Sequence, residues 1–188
     1  GSSDNTVLIQ NCVNNGAVSA NDYNGGILGY GANVVIKGCY NTGDVSAKNN
    51  LGGIVGNTVG TKSEIINCYN TGKVTATDST TNLVGGIVGL DANGSLIVDS
   101  CYNTGKVSGG ASNSGIVGNT AGTGDHYTKC YYLEGSAEQG YGASNKPDTE
   151  GKYVAKTSEE MKMASTYVDW DQTVWSLTDG AYPTFLNN

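Results

Sequence analysis

The chain has 188 residues, of which 29 are Gly and only 2 are Pro, and its formal net charge is −7. Ten Lys and no Arg leave no basic patch, which excludes a nucleic-acid partner and an anionic membrane surface. No apolar run is long enough to cross a membrane, and the Gly-rich, Pro-poor balance argues against collagen or a Pro-rich linker.

Gly1-Ser2-Ser3 reads as an added scar and no signal peptide is seen, so a native chain longer on both sides is expected. The first organised unit is a worn copy, Cys12-Val13-Asn14-Asn15-Gly16. Full copies of Cys-Tyr-Asn-Thr-Gly follow at Cys39–Gly43, Cys68–Gly72 and Cys101–Gly105, and a decayed one begins at Cys130. Successive Cys are 27, 29, 33 and 29 residues apart. A second unit keeps step with the first: Gly-Gly-Ile-Leu-Gly at 25–29, Gly-Gly-Ile-Val-Gly at 52–56 and 85–89, and Ser-Gly-Ile-Val-Gly at 114–118. Self-similarity at such a period is the signature of a solenoid. Propeller blades need more residues, and the leucine-rich spacing is absent. The four extra residues of the third repeat fall within Ala76–Leu83 and read as an outward loop.

Within each repeat, Ile9, Ile36, Ile65 and Val98 stand three residues before Cys, and Val18, Val45, Val74 and Val107 stand six after it. The run Val-Ser-Ala alternates apolar, polar and small, so it predicts a short strand with Val and Ala inward. Ala17, Asp44, Lys73 and Lys106 vary in charge and are placed in solvent. Gly16, Gly43, Gly72 and Gly105 predict corners with positive φ. Ile27, Ile54, Ile87 and Ile116 predict another strand, with the preceding Gly pairs marking close backbone approach. The expected fold is all-β: a right-handed parallel β-helix (β-solenoid) with three short strands and three corners per coil. Its coils cover about residues 7–33, 34–62, 63–94 and 95–123, with a partial coil at 124–133, making four to five in all.

Stacking turns repeated residues into columns. Asn14, Asn41, Asn70 and Asn103 predict an amide ladder. The five Cys occupy equivalent places and predict a column of reduced, buried thiols. Five equivalent nucleophiles without a repeated base do not make a catalytic Cys. His126 is the only His, and no spacing suggests zinc. No metal, cofactor or catalytic residue is expected.

Residues 134–188 read as an irregular connection followed by a C-terminal cap. Thr157-Ser158-Glu159-Glu160 is a capping-box start for a short helix over Ser158–Ser165. Trp170, Val174, Trp175, Leu177, Tyr182, Phe185 and Leu186 then crowd together. A solenoid needs its terminal coil covered, which favours a cap over a sugar-binding platform.

Gly-Gly-Ile-Val-Gly alternating with Asn-Cys-Tyr-Asn-Thr-Gly-x-Val resembles the GLUG-motif repeat family over about residues 7–133. The ending with Trp175 and Gly180-Ala181-Tyr182-Pro183 is similar to the segment that often closes such arrays. Val13 and Asn15 in the first repeat, and Ser114 in the fourth, depart from the pattern. The resemblance implies a bacterial protein that is secreted or at the cell surface. It points to adhesin-like proteins and the non-catalytic regions of immunoglobulin-A-specific metallopeptidases. The chain has no His-Glu-x-x-His, so no catalytic residue carries over.

The function expected is a non-catalytic extracellular module, a spacer, stalk or adhesive region of a larger protein, whose partners are neighbouring domains and a host glycan or protein. The alternative is a β-helix polysaccharide-degrading enzyme. Asp22, Asp44, Glu64, Asp78, Asp91, Asp99 and Asp125 hold different repeat positions and form no carboxylate pair, which counts against it. Ice binding through Thr42, Thr71 and Thr104 wants paired Thr, and each coil offers one here. The candidate binding residues are Tyr40, Tyr69 and Tyr102. Each follows an inward Cys, so alternation turns the rings outward into an exposed row. The competing reading is that each ring shields its neighbour and the corner.

Overall fold

The computed structural model describes residues 5–78, 83–122, 126–142 and 151–186. Its strands stack in parallel, coil upon coil, into a β-solenoid of about four turns. Val7–Gln10, Val34–Lys37, Glu64–Ile66, Ile97–Asp99 and Tyr127–Thr128 form one face. Val13–Asn14, Tyr40–Asn41, Tyr69–Asn70, Tyr102–Asn103, Cys130–Leu133 and Tyr153–Lys156 form the next. Val18–Ser19, Val45–Ala47, Val74–Ala76 and Val107–Ser108 form a third. The largest sheet carries the Gly-Gly unit, as in Asn49–Gly52 and Val55–Val59 of the second coil. That coil therefore holds five strand segments where three were expected. The segment through Cys splits in two, and the Gly pair splits another. Of the insertion expected within Ala76–Leu83, residues 79–82 lie outside the described residues, as do residues 143–150 of the connection expected over Gly135–Gly151.

The corner chemistry differs from the expectation. Gly43, Gly72 and Gly105 do not take positive φ. A Cβ on Gly43 would run into the carbonyl of Gly16 in the coil before, and the same holds for Gly72 on Gly43 and Gly105 on Gly72. These glycines are small so that coils can stack closely. The left-handed turn lies immediately before each Cys, at Asn11, Gly38, Asn67, Ser100 and Lys129, with φ between 51° and 62°. It reverses the alternation and tucks each Cys inward.

The inward pattern is otherwise as the residues dictate. Val45, Val74 and Val107 are buried, while Asp44, Lys73 and Lys106 are exposed. Asn41, Asn70 and Asn103 are wholly buried. Each amide donates to the next: Asn14 Nδ2 to Asn41 Oδ1 at 2.7 Å, Asn41 to Asn70 at 2.8 Å, and Asn70 to Asn103 at 2.8 Å. Each Nδ2 also donates to the carbonyl of the Gly two residues on, as Asn70 does to Gly72 at 2.8 Å. Buried amides therefore keep their hydrogen bonds, the condition for burying them at all. Gly26, Gly53 and Gly86 face this ladder, and a Cβ on any of them would collide with the Asn side chain. The ladder thus pinches the lumen and divides the apolar core. Ile36, Cys39, Ile54 and Val55 belong to one cluster, and Val45, Ala47 and Leu51 to the other.

All five Cys are free thiols. Cys39, Cys68, Cys101 and Cys130 are fully buried, but Cys12 is exposed, contrary to the expected column of five buried thiols. It lies in the first coil, at one end of the stack among the described residues. Sharing a hydrogen with Cys68, and burial after that, push the Cys39 thiol up; burial pushes Cys101 up.

Stacking continues past residue 133. Gln139–Tyr141 pairs with Ser112–Thr120, and Tyr153–Lys156 pairs with Cys130–Leu133. At this end the columns change character. Tyr127 takes the place of Ile and Val, and Tyr141 sits opposite Val117. Tyr127, Tyr141 and Tyr153 are buried, with ring centroids 5.5 Å and 5.4 Å apart, and they fill the end of the lumen. Tyr132 ends the Asn ladder, opposite Asn103.

Candidate binding face

The Tyr row stands on the face built from the short Tyr-Asn strands. In-register parallel pairing sets Tyr40 beside Tyr69 and Tyr69 beside Tyr102. The strand spacing becomes a ring spacing: centroids are 4.6 Å and 4.9 Å apart, with planes within 5° and 6° of parallel. The rings point out of the lumen, as alternation requires.

They are not exposed, however. Tyr69 and Tyr102 are 6% and 1% accessible, and Tyr40 is half-buried. Residues 160–186 lie across the row and carry a second aromatic column. Phe185, Trp175, Trp170 and Tyr167 follow one another at 4.6, 4.5 and 4.7 Å. Phe185 meets Tyr69 at 5.4 Å, Trp175 meets Tyr102 at 6.0 Å, and Trp170 meets Tyr131 at 6.0 Å. Both indoles find polar partners at the left-handed corners. Trp175 Nε1 donates to Asn67 Oδ1 at 3.0 Å, and Trp170 Nε1 to the Lys129 carbonyl at 3.1 Å. Tyr102 OH donates to the Pro183 carbonyl at 2.7 Å. Burial pushes the Tyr69 phenol up to about 12 and Tyr102 well above the ordinary range.

The C-terminal segment is thus a clasp along the flank and not a lid on the last coil. The reason is area: the outward Tyr row offers several coils of aromatic surface, whereas the end of the lumen is already filled by tyrosines. The expected aromatic platform is likewise turned inward, since Trp170 and Trp175 are 3% and 1% accessible. The capping box forms, with Glu160 N donating to Thr157 Oγ1 at 3.2 Å and Thr157 N to Glu160 Oε2 at 2.9 Å. The expected helix does not run unbroken over Ser158–Ser165. Two 3-10 turns, Glu160–Lys162 and Ala164–Thr166, take its place, separated by Met163 in extended conformation. Thr166 Oγ1 and Tyr167 OH claim the Glu160 and Met161 carbonyls that a helix would use.

One part of the row stays open. Beside Tyr40, a groove of about 310 Å³ runs between Val13 and the clasp residues Val174, Phe185 and Leu186. The solenoid carboxylates tie neighbouring coils together. Asp22 accepts from Asn49 at 2.5 Å, Asp44 from the Lys73 N–H at 3.0 Å, and Asp99 from Thr128 at 2.5 Å; Glu64 pairs with Lys37 at 3.5 Å. Asp91 is buried and accepts from Gly94, Leu96, Thr120 and Tyr127. Asp125 lies outside the described residues. Among the described residues, no three His, Cys, Asp or Glu side chains gather as metal ligands would.

Sequence reasoning missed the tyrosine plug and the flanking position of the clasp. The signal for the plug was present: in the decayed copy, Tyr replaces both Asn and the apolar residue before Cys.

A family model described as the GLUG motif matches residues 48–75, which hold one Gly-Gly-Ile-Val-Gly and one Cys-Tyr-Asn-Thr-Gly unit. Among solved structures, a chain from Bacteroides ovatus described as a putative immunoglobulin A1 protease is 28% identical, with a TM-score of 0.62. The likeness covers 95% of this chain and 57% of that one, so this chain spans little more than half of that relative's length. No curated protein matches the sequence. The chain thus carries a GLUG motif at residues 48–75, and units of the same pattern recur along the stacked coils.

Proposed function

We propose that the chain is a non-catalytic β-helix module of a larger bacterial protein that works outside the cell, holding neighbouring domains at a distance as a stalk or adhesive spacer. One observation carries this reading. The residues that recur in every coil spend their chemistry on stacking. The amides bond to amides, the thiols face the lumen, the glycines make room for the next coil, and the tyrosines hold the clasp. No helix among the described residues is long and apolar enough to cross a membrane, which fits a module displayed by other parts of its protein.

The relative's description as a protease belongs to a chain of which this one covers just over half. For an external glycan or protein ligand, the accessible part of the Tyr row is Tyr40 and its groove. The test is a glycan and mucin array read alongside two hydrolysis assays, one on immunoglobulin A1 and one on polysaccharides. The expected result is no cleavage of either substrate class. Turnover of one that survives repurification, and is lost on changing a solenoid carboxylate, would overturn the non-catalytic reading.

A further inference from the structure

Where the clasp begins, it leaves a cleft against the solenoid. Tyr131 follows Tyr102 in register, and Val154 follows Tyr131. Trp170 and Tyr167 pack against Tyr131, at 6.0 Å and, edge to face, at 5.3 Å. Val154 is too small to continue the row of rings, and the half-buried Tyr131 lines an opening of about 450 Å³. The clasp adds Met163, exposed and extended between the two 3-10 turns, and the exposed Ser165.

The charged groups of the cleft are a fixed pair. Lys156 Nζ donates to Glu160 Oε1 at 3.4 Å, and both side chains are partly exposed. Glu160 is held in place, because Oε2 accepts from the Thr157 N–H at 2.9 Å. That N–H, above all, holds the Glu160 carboxyl below the usual carboxylate range, so it remains an acceptor. An ammonium and a carboxylate side by side match a vicinal diol. One hydroxyl donates to the carboxylate while its neighbour accepts from the ammonium. The two charges cancel, which disfavours an ionic ligand. Beside them, Tyr131, Val154 and Met163 offer apolar surface. A small molecule with hydroxyls along its edge and C–H groups on its face answers both halves of such a site.

We propose that this cleft is a saccharide-binding site, taking one neutral hexopyranose with its C–H face against Tyr131 and a vicinal diol across Lys156 and Glu160. It deepens, and rests on, the reading of the chain as an adhesive module. It is separate from the groove beside Tyr40, whose lining carries no charged side chain.

The chain has two Met, so labelled methyl groups report on the cleft directly. The test titrates the full chain with the methyl β-glycosides of glucose, galactose and N-acetylglucosamine. At least one should move the Met163 methyl signal saturably while the buried Met161 signal stays in place. Lys156→Met keeps the stem but removes the ammonium, and should weaken binding roughly tenfold, the loss of one charge-assisted hydrogen bond. Tyr131→Ala should abolish binding, and Lys73→Met, exposed on another face, should leave it unchanged. If Tyr131→Ala fails to fold, Lys156→Met decides, since breaking an exposed ion pair costs little stability. No saturable shift with any of the three glycosides overturns the proposal, and so does binding at full strength in Lys156→Met. Array binding that persists in Lys156→Met puts the glycan elsewhere and leaves the adhesive reading standing. Catalysis is decided by the hydrolysis assays alone.

Discussion

One end of this solenoid is sealed and the other is bare. At the far end, Tyr127, Tyr141 and Tyr153 fill the lumen, and the clasp covers the last rungs of the aromatic row. At the near end, the matching lumen positions hold Ile9, Cys12 and Leu28, and none of the three is fully buried. The difference teaches that a stacked fold does not need a separate domain to terminate it. A change of side-chain size within the repeat columns is enough. Three tyrosines close a lumen that Ile, Val and Cys leave open for the next coil.

The contrast can be broken by substitution. Tyr127→Ala empties the plug and should cost about 3–5 kcal/mol in a denaturant titration, the range for deleting a buried aromatic. Ile9→Ala, at the matching position of the bare end, should cost under about 1 kcal/mol because that side chain is only partly removed from water. Equal costs would mean the two ends are not energetically distinct. Trp175→Ala should also cost about 3 kcal/mol or more and expose Tyr69 and Tyr102, visible as new apolar-dye binding. If stability is unchanged, the clasp is an appendage and the Tyr row holds itself.

A smaller effect sharpens the comparison within the amide ladder. Asn70→Ala leaves buried partners unsatisfied above and below and should cost about 1–3 kcal/mol. Asn14→Ala loses one bonded neighbour at a wet edge and should cost about 0.5–1 kcal/mol. A pH series tests the row. Burial raises the folded Tyr69 phenol above its unfolded value, so its contribution is complete below about pH 10. It is lost as pH climbs through about 12, and spectrophotometric titration should show it ionising late. The smallest effect is a count. In unreduced native protein one thiol, Cys12, should react promptly, and all five should react after denaturation. Three or fewer after denaturation would require a disulfide.

Much of this architecture was written in the spacing. The period gave the solenoid, and equivalent Asn, Cys and Val positions gave their columns, because stacking converts a recurring residue into a neighbour. The left-handed corner escaped because four different residue types occupy its five copies, and only its conformation recurs. The Tyr row was half legible. Alternation turned the rings outward, but what covers them is the indole of Trp175 bonded to Asn67, a partner 108 residues away. A local pattern carries no information about such a contact.

The clasp has a consequence for the order in which the molecule is completed. Coils with neighbour-only contacts fold from one to the next, each as soon as it is made. The Tyr row cannot finish that way. Phe185 packs on Tyr40 and Tyr69, so strands of the second and third coils wait for nearly the last residues of the segment to arrive. Contacts of such sequence separation form late and slowly. Until then the nascent rod carries an uncovered aromatic stripe down one side, a surface on which chaperones, or another unfinished chain, can act.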